Sequence, residues 1–198
     1  MLRLEQIKEA QIRISEYTIK TPMIRMEVLD ELLGCKVYLK AECMQKTNSF
    51  KIRGALNKML TMSEDELKAG VVAASSGNHG KGVAFVAELL GVKATIVVPD
   101  NAPKIKVDGI KSFGARVVQC PYDERHNVAN ALNKEYGYSI VHPYDDYAIM
   151  AGQGTIGLEI MEQLPDVDYV IVPIGGGGLI SGISTAVKEI SSSVTTIG

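Results

Sequence analysis

A lysine at a turn-to-helix junction is the residue with the most chemistry to offer. In Thr47-Asn48-Ser49-Phe50-Lys51-Ile52-Arg53-Gly54, either Asn48 or Ser49 can cap a helix whose inward side is Ile52, Ala55, Leu56, Met59 and Leu60. Lys51 then lies in the first turn, where the positive helix end disfavours a second cation. An amine whose charge is disfavoured titrates lower, and a neutral amine attacks carbonyl carbon. Most lysines are solvated surface charges, so the rest of the chain has to decide.

Two other loops bear on it. Ile174-Gly175-Gly176-Gly177-Gly178-Leu179 follows an apolar run and precedes a helical one. Several N–H groups at a helix N-terminus, with no side chains in the way, suit a phosphate; a tight turn alone needs one or two glycines. The dinucleotide pattern G-x-G-x-x-G fails because Ile180 and Ser181 stand where its third glycine would be, and no Gly-Lys-Ser/Thr follows. A phosphomonoester fits better than a nucleotide diphosphate. Ser75-Ser76-Gly77-Asn78-His79-Gly80 also sits between a strand and a helix, the edge at which parallel sheets bind ligands. Its hydroxyls and N–H groups suit a carboxylate, against the plain alternative of a capped turn. His79 reads either as a packing histidine or as a base.

The elements that must position these loops follow from periodicity. Residues 3 to 17 form an amphipathic helix, 18 to 25 are extended, and 26 to 33 are helical up to Gly34. Lys36 to Glu42 alternates as a half-buried strand with Val37, Leu39 and Ala41 inward. After the capping box Ser63–Glu66, strands at 71–75, 94–98, 116–120 and 138–142 alternate with helices at 81–90, from Pro103 to Gly114, and at 123–136. That rhythm predicts a parallel sheet with helices on its faces. Tyr147 to Leu164 is a helix carrying Gly152, Gly154 and Gly157, which close backbone packing or a ligand would explain. A strand at 168–173, a helix at 180–190 and a strand beginning at Val194 complete the reading, and the last looks like the start of an unfinished domain.

Bulk properties narrow the function. Of 198 residues, 46% are hydrophobic and 22% charged, with a net charge of −2 and no basic block, which points away from nucleic acid. No apolar run is long enough to cross a bilayer, and no signal peptide is evident; a cytoplasmic protein is expected. Cys35, Cys43 and Cys120 read as reduced thiols, and the three histidines lack metal-ligand spacing.

A primary amine, a carboxylate loop and a phosphate-only loop together describe pyridoxal 5'-phosphate as the cofactor. Four spaced motifs carry a resemblance covering essentially the whole chain: Ser49-Phe-Lys-Ile-Arg-Gly-Ala55, Ser75-Ser-Gly-Asn-His79, Ala151-Gly-Gln-Gly-Thr-Ile-Gly157 and Pro173-Ile-Gly-Gly-Gly-Gly-Leu179. The chain resembles the fold-type II pyridoxal-phosphate enzymes, nearest to the catabolic threonine/serine dehydratases (threonine ammonia-lyases) and the serine racemases. Cysteine synthase-like relatives, with Thr-Ser-Gly-Asn-Thr, fit less well.

The resemblance implies an α/β fold like the tryptophan synthase beta subunit, with a three-layer parallel sheet. It implies a small domain at 48–146 and an incomplete large domain from 1–47 plus 147–198. Lys51 would be the Schiff-base lysine and Cα-proton base, and Ser76 the opposite-face acid/base of the racemases. Phe50, Asn78 and Gly175, Gly176, Gly177, Gly178 and Leu179 would hold the cofactor. Ser75, Ser76, Gly77, Asn78 and His79 would receive the substrate carboxylate. The reaction implied is deamination of L-threonine or L-serine to a 2-oxo acid and ammonia. A homo-oligomer is implied, and a nucleotide effector is compatible with it. A non-catalytic ligand- or subunit-binding protein is the rival of a different class. Because relatives run longer, apolar surface is expected to be exposed on strands 37–42 and 169–173.

Overall fold

The computed structural model describes residues 1–198. In chain order the elements are α1 (Leu4–Ile14), β1 (Met23–Arg25), α2 (Glu27–Leu33), β2 (Tyr38–Lys40), α3 (Lys51–Leu60), α4 (Glu64–Ala69), β3 (Val71–Ala74) and α5 (Asn78–Leu90). Then come β4 (Ala94–Pro99), α6 (Lys104–Lys111), β5 (Arg116–Cys120), α7 (Arg125–Tyr136), β6 (Ser139–Ile140), α8 (Tyr147–Gln163), β7 (Tyr169–Ile171), α9 (Gly178–Ile190) and β8 (Thr195–Ile197).

The four apolar runs at 71–142 pair in parallel in the order β5–β4–β3–β6. Successive side chains of a strand point to opposite faces, and both faces here are covered. Val71, Ala73, Ile96 and Val98 pack with α3, α5 and α6 residues such as Leu56, Val83 and Ile110. Val72 and Val97 pack on Ala129 and Leu132 of α7. The result is the expected three layers, with every residue of β4 buried.

A second core joins α8 and α9 to the parallel pair β7–β8 through Ile156, Ile160, Ile183, Val187, Val170, Val172 and Val194. Its outward face leaves Tyr169 63% and Ile171 77% exposed, so the apolar surface expected on that strand is present. In α1, Leu4, Ile7 and Ala10 are buried against Ala151 and Leu158 of α8.

The glycines of α8 are accounted for by packing. A Cβ on Gly152 would lie 2.5 Å from the Arg53 carbonyl oxygen and 2.7 Å from Gly54 Cα, so α3 crosses α8 at backbone contact. Gly154 and Gly157 face α9 instead: a Cβ on the first would be 2.9 Å from the Gly182 oxygen, and on the second 2.9 Å from Ala186 Cβ. One helix thus meets two partners through glycines on two sides.

The alternation expected at 36–42 holds at its ends, where Lys36 is exposed and Ala41 buried, but is reversed across 38–40. Antiparallel pairing sets Leu39 opposite Ile24 and Lys40 opposite Met23. Leu39 is 49% exposed, whereas the Lys40 ammonium is buried 2.6 Å from Glu159 of α8. A satisfied ion pair lets a lysine occupy a position that hydropathy assigns to its neighbour.

Packing at Gly152 gives a direct test. Gly152→Ala should cost about 1–3 kcal/mol through overpacking against backbone, lowering the urea midpoint. Gly109→Ala in α6, where a Cβ meets nothing within 4 Å, should raise it by up to about 1 kcal/mol of helix propensity.

Candidate functional site

Lys51 opens α3, but neither Asn48 nor Ser49 caps it: the cap position is Phe50 in helical conformation, with no side-chain bond. Asn48 sits at a positive φ of 61° and accepts from Lys81 Nζ at 3.1 Å, while the buried Ser49 hydroxyl has no partner. The depressed pKa expected of Lys51 is present with burial as its cause. The half-buried amine donates to the Pro143 carbonyl at 2.6 Å and lies 5.3 Å from the Phe50 ring centroid.

The depth at which Lys51 sits is set two residues on. Arg53, with 1% of its side chain exposed, pairs with Glu159 at 2.6 Å and Glu42 at 2.8 Å, and donates to the Thr155 hydroxyl and the Ile19 carbonyl. Lys40 completes the cluster by pairing with Glu159 and donating to the Thr21 carbonyl and Gln163. Two cations and two carboxylates balance, and the guanidinium is fully engaged. Sequence reading missed this cluster. The signal was there: an arginine among the apolar positions of α3, and a glutamate in the apolar run Ile156–Met161.

The serine loop continues directly into α5, which starts at Asn78, three residues before the expected Lys81. Ser75, Ser76 and Gly77 are half-buried and Asn78 is exposed in the first turn. Ser75 Oγ accepts from the Gly77 N–H at 3.3 Å, so this serine shapes its own loop. Amides in the first turn of a helix lack partners within it and remain available to an anion. Gly82 approaches the backbone of Lys51 and Ile52, which sets α5 beside the lysine.

His79 behaves as a packing residue. Its side chain is buried, and Nε2–H donates to the Val141 carbonyl at 2.9 Å. Nδ1 has no partner, and burial pushes the pKa down to about 4, with the nearby Lys51 and His142 charges adding to the effect. A neutral ring donating to a carbonyl does not offer its side chain to a carboxylate; the backbone N–H is what His79 can contribute.

The glycine loop leads from β7 into α9, which begins at Gly178, two residues before the expected Ile180. Gly175 and Gly176 are exposed, Gly177 takes a φ of 85°, and Leu179 packs against the α8–α9 core. A Cβ on Gly175 or Gly177 would meet nothing within 4 Å, so an open side remains at the helix N-terminus. An open cradle of this kind and a desolvated amine are what a phosphate and an aldehyde on one small cofactor require.

The element that joins these parts is the turn His142–Asp146, which leads from β6 into α8. Pro143 receives the Lys51 hydrogen bond, the next residue, Tyr144, packs on the glycine loop, and Asp146 caps α8 through Ala148 N at 2.7 Å and pairs with Lys58. Lys51, the α5 N-terminus and the glycine loop therefore converge. No group of histidines, cysteines and carboxylates here could hold a metal ion, and no helix is long and apolar enough to cross a membrane.

The family model described as pyridoxal-phosphate dependent enzyme matches residues 14–198. An L-threonine ammonia-lyase of Thermotoga maritima is 50% identical over 200 residues, covering 100% of this chain and 50% of that protein. A serine racemase of Oryza sativa subsp. indica is 43% identical, covering 96% and 57%. Among solved structures, maize serine racemase superposes with a TM-score of 0.96 at 40% identity, covering 98% of this chain and 60% of that one. The processed form of threonine deaminase isoform 2 from Solanum lycopersicum gives 0.91 at 38%, covering 98% and 55%. The chain spans about half the length of the curated relatives it matches.

The buried histidine gives a pH signature. Its folded pKa lies below the unfolded value, so the unfolded state binds the extra proton between pH 6.5 and about 4. Stability should fall by roughly 2–4 kcal/mol on acidification through that window. Urea unfolding of the parent and of His79→Gln at pH 7.5 and 4.5 checks this, with a shallower dependence expected in the variant.

Proposed function

We propose that this chain, which belongs to the pyridoxal-phosphate dependent enzyme family, carries the amine, phosphate cradle and carboxylate loop of a lyase that deaminates L-threonine and L-serine to 2-oxo acids. The observation that carries the proposal is one residue step: Pro143 holds the Lys51 amine, and Tyr144 rests on the glycine loop. An amine and a phosphate cradle joined through adjacent residues suit a single ligand bearing both an aldehyde and a phosphate.

Pyridoxal phosphate, when bound, supplies an electron sink that acidifies the Cα proton of an amino acid. Lys51 Nζ, whose charge burial disfavours, is the atom proposed to hold the cofactor and to take that proton. Gly175–Gly178 and Leu179 would bind the phosphate through first-turn amides, Phe50 would pack beside the ring, and Asn78 would face its hydroxyl. The half-buried Ser75, Ser76 and Gly77, with the Asn78 and His79 amides, would orient the substrate carboxylate. In this reading residues 48–146 form the small domain, and 1–47 with 147–198 contribute to the large one.

The L-threonine ammonia-lyase match, spanning 100% of this chain, supports the dehydratase reading. A second reading, serine racemisation, is supported by the racemase relatives; in it Ser76 would act as the opposite-face acid.

Added pyridoxal phosphate should give the chain a visible absorption band that Lys51→Ala lacks, and L-threonine should then release ammonia. Chiral chromatography after incubation with L-serine separates the readings, D-serine marking the racemase. A chain that stays colourless contradicts both.

A further inference from the structure

Resting on the cofactor assignment above, we propose that Tyr144 is a positioning residue for the phosphate, its ring being the platform that holds the glycine loop in its binding form. The four glycines divide by what a side chain would meet. A Cβ on Gly176 would clash with the Tyr144 ring carbons, and one on Gly178 would lie 2.7 Å from the Tyr144 carbonyl oxygen and 2.9 Å from its Cβ. Gly175 and Gly177 face open space. Two glycines are therefore required by contact with one tyrosine, and the other two leave a ligand side clear.

Tyr144 is partly exposed, yet its position is determined from both directions along the chain. The His142 ring packs edge-on to it with centroids 4.7 Å apart and planes at 83°. His142 Nδ1 accepts from Asp145 N at 2.8 Å and, more weakly, from Tyr144 N at 3.4 Å. Ahead of this turn lies buried Val141, held by the His79 ring; behind it, Asp146 is fastened to α8 and pairs with Lys58 at 2.7 Å. A turn anchored at both ends thus presents an aromatic face to a run of four glycines.

Glycine loses more backbone freedom on ordering than any other residue. Four in succession have little reason to stay in one arrangement unless a surface holds them. The Tyr144 ring is that surface on the side away from the open face. Without it the loop would be ordered at the moment of phosphate binding, and affinity would drop by the cost of that ordering. The loss should touch only ligands that carry the phosphate, because Lys51 is held by the Pro143 carbonyl, a backbone group.

Spectroscopic titration of the 198-residue chain with pyridoxal phosphate and with pyridoxal, which keeps the aldehyde but lacks the phosphate, isolates this effect. In Tyr144→Ala the preference for the phosphorylated form should fall about tenfold or more, with pyridoxal affinity little changed. Tyr144→Phe, which keeps the ring, should retain the preference. Gly176→Ala, which pushes the loop off the ring, should lose it, and this variant stands in if Tyr144→Ala does not fold. An unchanged preference in folded Tyr144→Ala or in Gly176→Ala overturns the proposal. An equal loss in Tyr144→Phe also overturns it, by assigning the effect to the hydroxyl. A parent chain with no preference between the two ligands overturns the cofactor assignment itself, and this inference with it.

Discussion

The rest of the structure depends on neutralising Arg53. A guanidinium with 1% of its side chain exposed is tolerable only with charge partners in good geometry. Those partners come from distant parts of the chain: Glu42 after β2, Glu159 and Thr155 on α8, and the Ile19 carbonyl in the N-terminal extended segment. Satisfying them closes the N-terminal segment, α3 and α8 onto each other. The Gly152–Gly54 contact lets the two helices come close enough for the charges to meet. Lys51, two residues away, takes its depth from that arrangement, and its depressed pKa follows from the depth.

The second dependence runs through a turn. His142–Asp146 connects β6 to α8, and its backbone and side chains touch the lysine, the glycine loop and the α8 N-terminus. Loops set against rigid elements are where binding groups concentrate, and this one is anchored at both ends. The α/β sheet supplies the serine loop at a strand C-terminus, and the α8–α9 pair supplies the glycine loop at a helix N-terminus. The turn holds these two edges in one place.

Much of the fold was legible in the residues. Apolar, β-rich runs at 71–142, separated by helical stretches at 81–90, 103–114 and 123–136, foretold a parallel sheet covered on both faces. Both edges of that sheet and the order of its strands came from the structure. Lys51, Ser75–His79 and Gly175–Gly178 stood out as candidates because amine, hydroxyl and bare amide chemistry is local. The failures were local readings overruled by distant contacts. Leu39 and Lys40 exchanged faces because Glu159, over a hundred residues away, pairs with the lysine. Phe50 took the cap position that Asn48 or Ser49 could have filled; His79, by contrast, is the packing histidine that one of its two local readings gave.

By itself, then, the sequence determined the order and type of the elements and the chemistry each loop carries, because periodicity and side-chain type act within a few residues. Only the tertiary structure decided what the glycines are for. Those at 152, 154 and 157 serve helix crossings, those at 176 and 178 make room for Tyr144, and those at 175 and 177 leave an open side. It also decided why Lys51 titrates below the ordinary lysine range, since desolvation depends on which distant segments cover it. No local pattern encodes that: burial and convergence arise from contacts a hundred residues apart, as between Arg53 and Glu159.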